Sequence, residues 1–304
     1  MTFVLVVLAF SFAWSIGSHY TGACMGMPYA LGAISARRAL LLMAPLALLG
    51  AALFSGKVAE TVGQRLIDAQ PTTLAEALIV AVAFGVTGLY NRARIPTSTI
   101  QLLVGAVAGV AVGSSAGVHW RTIATLAVIW VAAPVVAAAA GFALARLGGL
   151  PGGALVGVGG VASFAMGGND VALASGALVG ANVLTPHWAG LLCGAAIALG
   201  VLVTGRPLLE RVAFDIVEVD RATATAAQLV QALVVIVAVA SGYFTSMNQA
   251  LVGAMVGARP GAVQRRTLLG IVRGWLVGPP SSFALALVAA LVARWIGGVD
   301  ALVG

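Results

Sequence analysis

Thr97-Ser98-Thr99-Ile100-Gln101-Leu102-Leu103-Val104-Gly105-Ala106-Val107-Ala108-Gly109 aligns without gaps on Thr245-Ser246-Met247-Asn248-Gln249-Ala250-Leu251-Val252-Gly253-Ala254-Met255-Val256-Gly257, with eight of the thirteen pairs identical. A match of that quality within one chain marks an internal repeat. Weaker matches extend it. Gly17-Ser18-His19-Tyr20, with Gly26 after it, lies about 150 residues before Gly167-Gly168-Asn169-Asp170 and Gly176. Leu49-Gly50 through Lys57 likewise matches Leu199-Gly200 through Arg206. The chain therefore divides into a first repeat, residues 1–148, and a second, residues 149–304, within one integral membrane domain.

The sequence around these matches is apolar. Hydrophobic residues make up 61% and charged residues 8%, and mean hydropathy is +1.07. Soluble domains carry about 25% charged residues, so the expectation is an all-α polytopic membrane protein. Ten apolar segments are expected, roughly 2–30, 38–56, 74–90, 97–113, 121–146, 152–184, 187–204, 226–243, 246–258 and 270–294. Several are shorter than the ~20 residues a full span needs. Those at 97–113 and 246–258 are the shortest, and they follow Thr/Ser clusters; they read as half-helices or arms of re-entrant hairpins. The residues from Met1 to Trp14 lack the basic start of a signal peptide and read as the first span, kept in the mature chain.

Loop charges set the expected orientation. With the N-terminus outside, twelve arginines fall inside, and only Lys57, Arg65, Arg121 and Arg294 fall outside. Both termini are therefore expected outside. Each half then has an odd number of crossings, so the two copies face opposite ways. Inverted repeats of this kind hold their site near the midplane where the copies meet.

The residues for such a site stand out against the apolar background. Asp170 is the one acid that these spans place in the membrane, between Gly167-Gly168 and Gly176. An intramembrane carboxylate costs at least ~2.5 kcal/mol on insertion scales and marks function by default. The flanking glycines are expected to break the helix and expose backbone groups to a cavity. Four polar clusters recur at matching places: Ser18-His19-Tyr20-Thr21, Thr97-Ser98-Thr99 with Gln101, Asn169-Asp170, and Thr245-Ser246 with Asn248-Gln249. Taken singly, a Ser/Thr cluster reads as a helix cap. Recurrence in both halves turns the reading to an anion site made of hydroxyls, amides and helix N-termini, with Pro96 fitting the start of the first. Asp170, with Asn169, is expected to hold a coupling cation, Na⁺ or H⁺. His19, Tyr20 and Thr21 are candidate substrate or proton contacts. Arg92 and Arg94 either draw anions to an inner vestibule or simply record orientation.

Other classes find little support. The net charge of +7 is spread over loops and does not form a nucleic-acid patch. The three histidines show no metal-ligand spacing, and Cys24 and Cys193 are far apart. A Na⁺ at Asp170 is the one metal the residues suggest. An intramembrane enzyme needs paired acids or a metal set, and no cofactor is called for.

With these residues in view, the chain resembles the inorganic phosphate transporter (PiT) family of secondary carriers. Gly168-Asn169-Asp170-Val171-Ala172 is similar to its GANDVANA signature, with Leu173 in place of the second Asn. Ile95-Pro96-Thr97-Ser98-Thr99 with Gly105 and Gly109 resembles its PxSxTHxxxGxxxG hairpin motif. The resemblance implies inverted repeats with broken helices and hairpins, cation-coupled import of a tetrahedral oxyanion, a bacterial plasma membrane and a homodimer. Family members carry a first-half Asn-Asp pair where this chain has His19 and Tyr20, and the run ending in Met25-Gly26 looks more like the sulfate-permease branch. Sulfate has no proton to give a second carboxylate, so hydroxyl and imidazole donors suit it. The expectation is a sulfate symporter, with phosphate as the alternative and a passive anion channel as the alternative of another class.

Overall fold

The computed structural model describes residues 1–93, 97–148, 150–215, 219–260, 265–297 and 302, and these are helical with short connections. In chain order the helices are α1 Thr2–His19, α2 Thr21–Ala30, α3 Ala36–Gln64, α4 Thr73–Arg92, α5 Thr99–Gly113 and α6 Trp120–Arg146. Then come α7 Leu155–Asp170, α8 Ala172–Gly180, α9 Pro186–Thr204, α10 Arg206–Asp215, α11 Arg221–Ala240, α12 Met247–Ala258 and α13 Arg265–Gly297. The order of the first six recurs in the last seven, with the long α3 matched by α9 and α10 on either side of Gly205. Arg94 and Pro96 lie outside the described residues.

Among the described residues seven stretches are long and apolar enough to cross a membrane: Thr2–Ala30, Ala36–Phe54, Thr73–Arg92, Trp120–Arg146, Pro186–Thr204, Arg221–Ala240 and Leu268–Gly297. Ten were expected from hydropathy. The difference lies in the short elements. At 15 and 12 residues, α5 and α12 reach only ~22 and ~18 Å at 1.5 Å per residue, short of a ~30 Å core. The 152–184 segment is divided between α7 and α8.

Glycines place the helices against one another, and they do so in matched pairs. A Cβ on Gly17 of α1 would sit 2.0 Å from the Ile197 carbonyl oxygen of α9, and one on Gly200 would sit 2.0 Å from that of Trp14. The same contacts recur about 150 residues on, where Gly167 of α7 meets Ala47 of α3 at 1.9 Å and Gly50 meets Phe164 at 2.0 Å. Small residues at such crossings let backbones approach closely where lipid offers no hydrophobic driving force. In α5, Gly105, Gly109 and Gly113 meet Pro279, Phe283 and Ala290 of α13 in ascending order, so the two helices run parallel. Gly253 and Gly257 of α12 meet Pro134 and Ala138 of α6 in the same sense. Each half lends its short helix to the other half's last helix.

Two expectations need correction. The breaks fall inside the expected stretches, at Tyr20 within 17–26 and at Val171 within 167–176, though at neither is the interrupting residue a glycine. Tyr20 (φ −87°, ψ 2°) departs from helical geometry, while Val171 (φ −58°, ψ −34°) keeps helical dihedrals and marks a one-residue interruption between α7 and α8. Gly167 and Gly176 are used for close packing, against Ala47 and Val62. Nor is Asp170 the only buried acid in a span. Glu76, in the first turn of α4, is 4% exposed and packs its carboxylate on Gly180 at the end of α8. It falls within the expected 74–90 segment, whose overall hydropathy masks a single acid two residues from its start.

Candidate functional site

Asp170 ends α7 at the break, fully buried, beside Asn169, which is also fully buried. The Asn169 amide is heavily committed. Its Oδ1 accepts from the Thr245 backbone N–H at 3.0 Å, and its Nδ2 donates to the Thr245 carbonyl at 2.9 Å. Nδ2 also donates to Asp170 Oδ2 at 3.1 Å. Asn169 thus braces the end of α7 against the turn before α12, and its role as a free ligand recedes. The other carboxylate oxygen, Asp170 Oδ1, has no hydrogen-bond partner in the protein.

The first-half break meets the same centre. Tyr20, 1% exposed, lies beside the Asp170 and Thr99 side chains and interacts electrostatically with both. Tyr20 and Asp170 occupy matching positions of the two halves, so the two breaks face each other across the fold. Through Thr99 and Thr245 each break also touches a short-helix start. One buried polar centre therefore draws on α1–α2, α5, α7 and the turn before α12.

The Ser/Thr clusters divide into two kinds. Ser246 Oγ accepts from the Gln249 backbone N–H at 3.4 Å, an ordinary helix cap. Ser98, at the matching place, caps nothing, and its hydroxyl is buried without a protein partner. Buried acceptors without partners also include Gln101 Oε1, Thr245 Oγ1 and Gln249 Oε1. In a folded protein such atoms are scarce, and each calls for an explanation such as a ligand. Thr97 is buried. His19, half-buried, joins Thr97, Asn91 and Asn248 around a cavity of about 290 Å³ that also contacts α13 through Ile271 and Trp275. Thr21 stands apart. Its hydroxyl contacts the Ser18 and Gly205 carbonyls, at 2.9 and 3.0 Å, and fastens α2 to the start of α10.

Sequence reasoning missed four buried residues with partnerless oxygens: Thr87, Ser175, Gln228 and Gln231. The two glutamines lie inside an apolar helix, where two isolated amides look like incidental polarity; a search for polar residues three apart on one face would have found them. Among the described residues no three His, Cys, Asp or Glu side chains gather as a metal site. Cys24 and Cys193 are buried free thiols. A larger groove between α6 and α11 is walled by Ile129, Val136, Leu233 and Val237 and has the character of a lipid-facing surface.

Known proteins resemble this chain in sequence and in fold. A family model described as the phosphate transporter family matches residues 16–149 and 152–286. A probable low-affinity inorganic phosphate transporter of Mycobacterium tuberculosis is 29% identical over 97% of this chain and 78% of its own. The sulfate permease CysP of Bacillus subtilis is 27% identical over 94% of this chain and 86% of its own. A solved structure titled the sodium-dependent phosphate transporter superposes with a TM-score of 0.87 over 97% of this chain and 99% of that one, at 21% identity, which speaks for the fold. These relatives are transporters and not enzymes, and the extent of the family match, across both halves, shows that the chain belongs to the phosphate transporter family.

Proposed function

We propose that the protein imports inorganic phosphate across a membrane by cation-coupled symport, with Na⁺ as the coupling ion. The observation that carries the reading is the meeting of both breaks and both short-helix starts at one buried polar centre in an otherwise apolar chain. Thr97, Ser98, Gln101, Thr245 and Gln249, with Asn248 at the adjoining cavity, supply hydroxyls and amides for the anion. Asp170 supplies the charge for the cation. His19, at the mouth of the cavity, is a candidate first contact for the anion. In this reading the two halves are inverted copies. The parallel run of α5 with α13, and of α12 with α6, supports inversion, because the six-residue α5–α6 connection, residues 114–119, is too short for anything but a reversal of direction. Outside termini and a homodimer in a bacterial plasma membrane belong to the same proposal.

Phosphate replaces the sulfate favoured by sequence. The sulfate argument used Tyr20 as a donor to the anion, and Tyr20 lies beside the Asp170 carboxylate, which competes for that hydroxyl. The family model and most of the similar relatives carry phosphate in their descriptions. The CysP likeness keeps sulfate as a competitor in the assay. The test is uptake of radiolabelled phosphate and sulfate into proteoliposomes under imposed Na⁺ or pH gradients. Accumulation of phosphate driven by Na⁺ is expected. Accumulation of sulfate alone overturns the substrate, a pH-driven response overturns the ion, and equilibration without accumulation makes the protein a passive pore.

A further inference from the structure

Gln228 and Gln231 lie three residues apart on one face of α11, both fully buried. The Gln228 amide nitrogen donates to the Cys24 carbonyl and, at 3.4 Å, to that of Ala23, just past the first-half break. The Gln231 amide nitrogen donates at 3.4 Å to the Met247 carbonyl in the first turn of α12. These partners only accept, so each amide must present its NH₂ to them. The orientation of both side chains is thereby fixed, and each Oε1 is left buried with no donor in the protein.

Each glutamine is bonded to a segment that in turn contacts α7, the helix that ends in Asp170. Cys24, to which Gln228 is bonded, is tied to α7 by its thiol's 3.7 Å hydrogen bond to the Ala162 carbonyl. Met247, to which Gln231 is bonded, follows two residues after Thr245, the partner of Asn169. All the partnerless buried atoms here are oxygens, and those of Asp170 and the two glutamines are acceptors only. A set of carboxylate and carbonyl oxygens that excludes donors is the ligand chemistry of a hard cation. The C-terminal end of α7, where Asp170 sits, adds negative helix-dipole character.

The distribution between halves points the same way. Gln228 and Gln231 match Val80 and Ala83 of the first half, and Asp170 matches Tyr20. The acid and the two amides occur together, in one half only. Resting on the cation-coupled reading above, we infer that Gln228 and Gln231 ligate the coupling cation through their side-chain carbonyl oxygens, completing with Asp170 a single monovalent-cation site that has no first-half counterpart.

The test measures cation binding apart from transport. Purified protein in nanodiscs is titrated with NaCl at constant ionic strength, with choline as replacement, and Na⁺-dependent thermal stabilisation is read. Gln228→Leu and Gln231→Leu are expected to raise the half-saturating Na⁺ concentration at least tenfold. Phosphate KM measured at saturating Na⁺ is expected to stay within about threefold in both variants. The baseline melting temperature in choline reports any loss of fold, so a folding defect is separable from a ligand defect. Half-saturation within twofold of wild type in both leucine variants overturns the inference and leaves Na⁺ coupling standing. A phosphate KM that rises while Na⁺ half-saturation holds also overturns it, because the oxygens then face the anion. A wild-type protein with no Na⁺ response overturns the Na⁺ reading beneath it.

Discussion

Asn169→Ala separates a brace from a ligand. The native amide satisfies both backbone groups of Thr245, at 3.0 and 2.9 Å, and Thr245 is fully buried. Alanine leaves a buried N–H and a buried C=O unpaired, each costing about 1–3 kcal/mol, or roughly 2–6 kcal/mol together. The loss of the 3.1 Å bond to Asp170 Oδ2 adds to this. The end of α7 and the turn before α12 would then separate, so both stability and the placing of the short-helix start suffer. The assay is denaturant unfolding in detergent alongside phosphate KM in proteoliposomes. Asn169→Ala is expected to unfold earlier and to raise KM together. Asp170→Asn is the contrast, because the oxygen it alters, Oδ1, has no partner in the protein to lose. Its unfolding should match wild type or exceed it, since an intramembrane carboxylate is itself costly to bury. If Asn169→Ala unfolds within about 0.5 kcal/mol of wild type, the size of an ordinary surface change, the bracing argument is wrong.

Other outcomes follow from the same geometry. Ser98→Ala removes a hydroxyl with no protein partner and should raise phosphate KM several-fold without loss of stability, whereas Ser246→Ala removes a cap and should cost about 0.5–2 kcal/mol with a smaller KM change. An unchanged KM for Ser98→Ala would remove that hydroxyl from the anion site. Gly257→Ala places a Cβ 1.9 Å from the Ala138 carbonyl oxygen and should destabilise by about 1–3 kcal/mol, while Gly85→Ala, with open space around it, should be neutral or stabilising. Equal melting temperatures for these two variants would contradict the seam packing. Tyr20→Phe should slow uptake yet leave the ratio of sulfate to phosphate transport unchanged, because the Asp170 carboxylate beside Tyr20 competes for the hydroxyl; a shifted ratio would return Tyr20 to the anion.

How far the sequence could be read depended on what each signal measures. Spans and breaks were legible because hydropathy and polar interruptions persist over many residues, and the Thr97–Gly109 and Thr245–Gly257 match exposed the duplication directly. The glycines were visible, but their use was not. Gly167 looks the same whether it breaks a helix or lets Ala47 approach, and only the packing partner distinguishes the two. The same limit applies to serine. Ser98 and Ser246 are equivalent in sequence, yet Ser246 caps a helix while the Ser98 hydroxyl is buried without a protein partner. Tyr20 was read as a substrate or proton contact, and its neighbour in the fold is Asp170, 150 residues away, which no local sequence signal reveals. Gln228 and Gln231 gain meaning only from the carbonyls that fix their amides, and these lie on other helices.

The most direct test of the account is the phosphate accumulation ratio in proteoliposomes under an inward Na⁺ gradient, compared between wild type and Asp170→Asn at equal, verified insertion. The account predicts that wild type raises internal phosphate above the external level and that the variant never exceeds equilibrium. Accumulation by Asp170→Asn equal to wild type would contradict it.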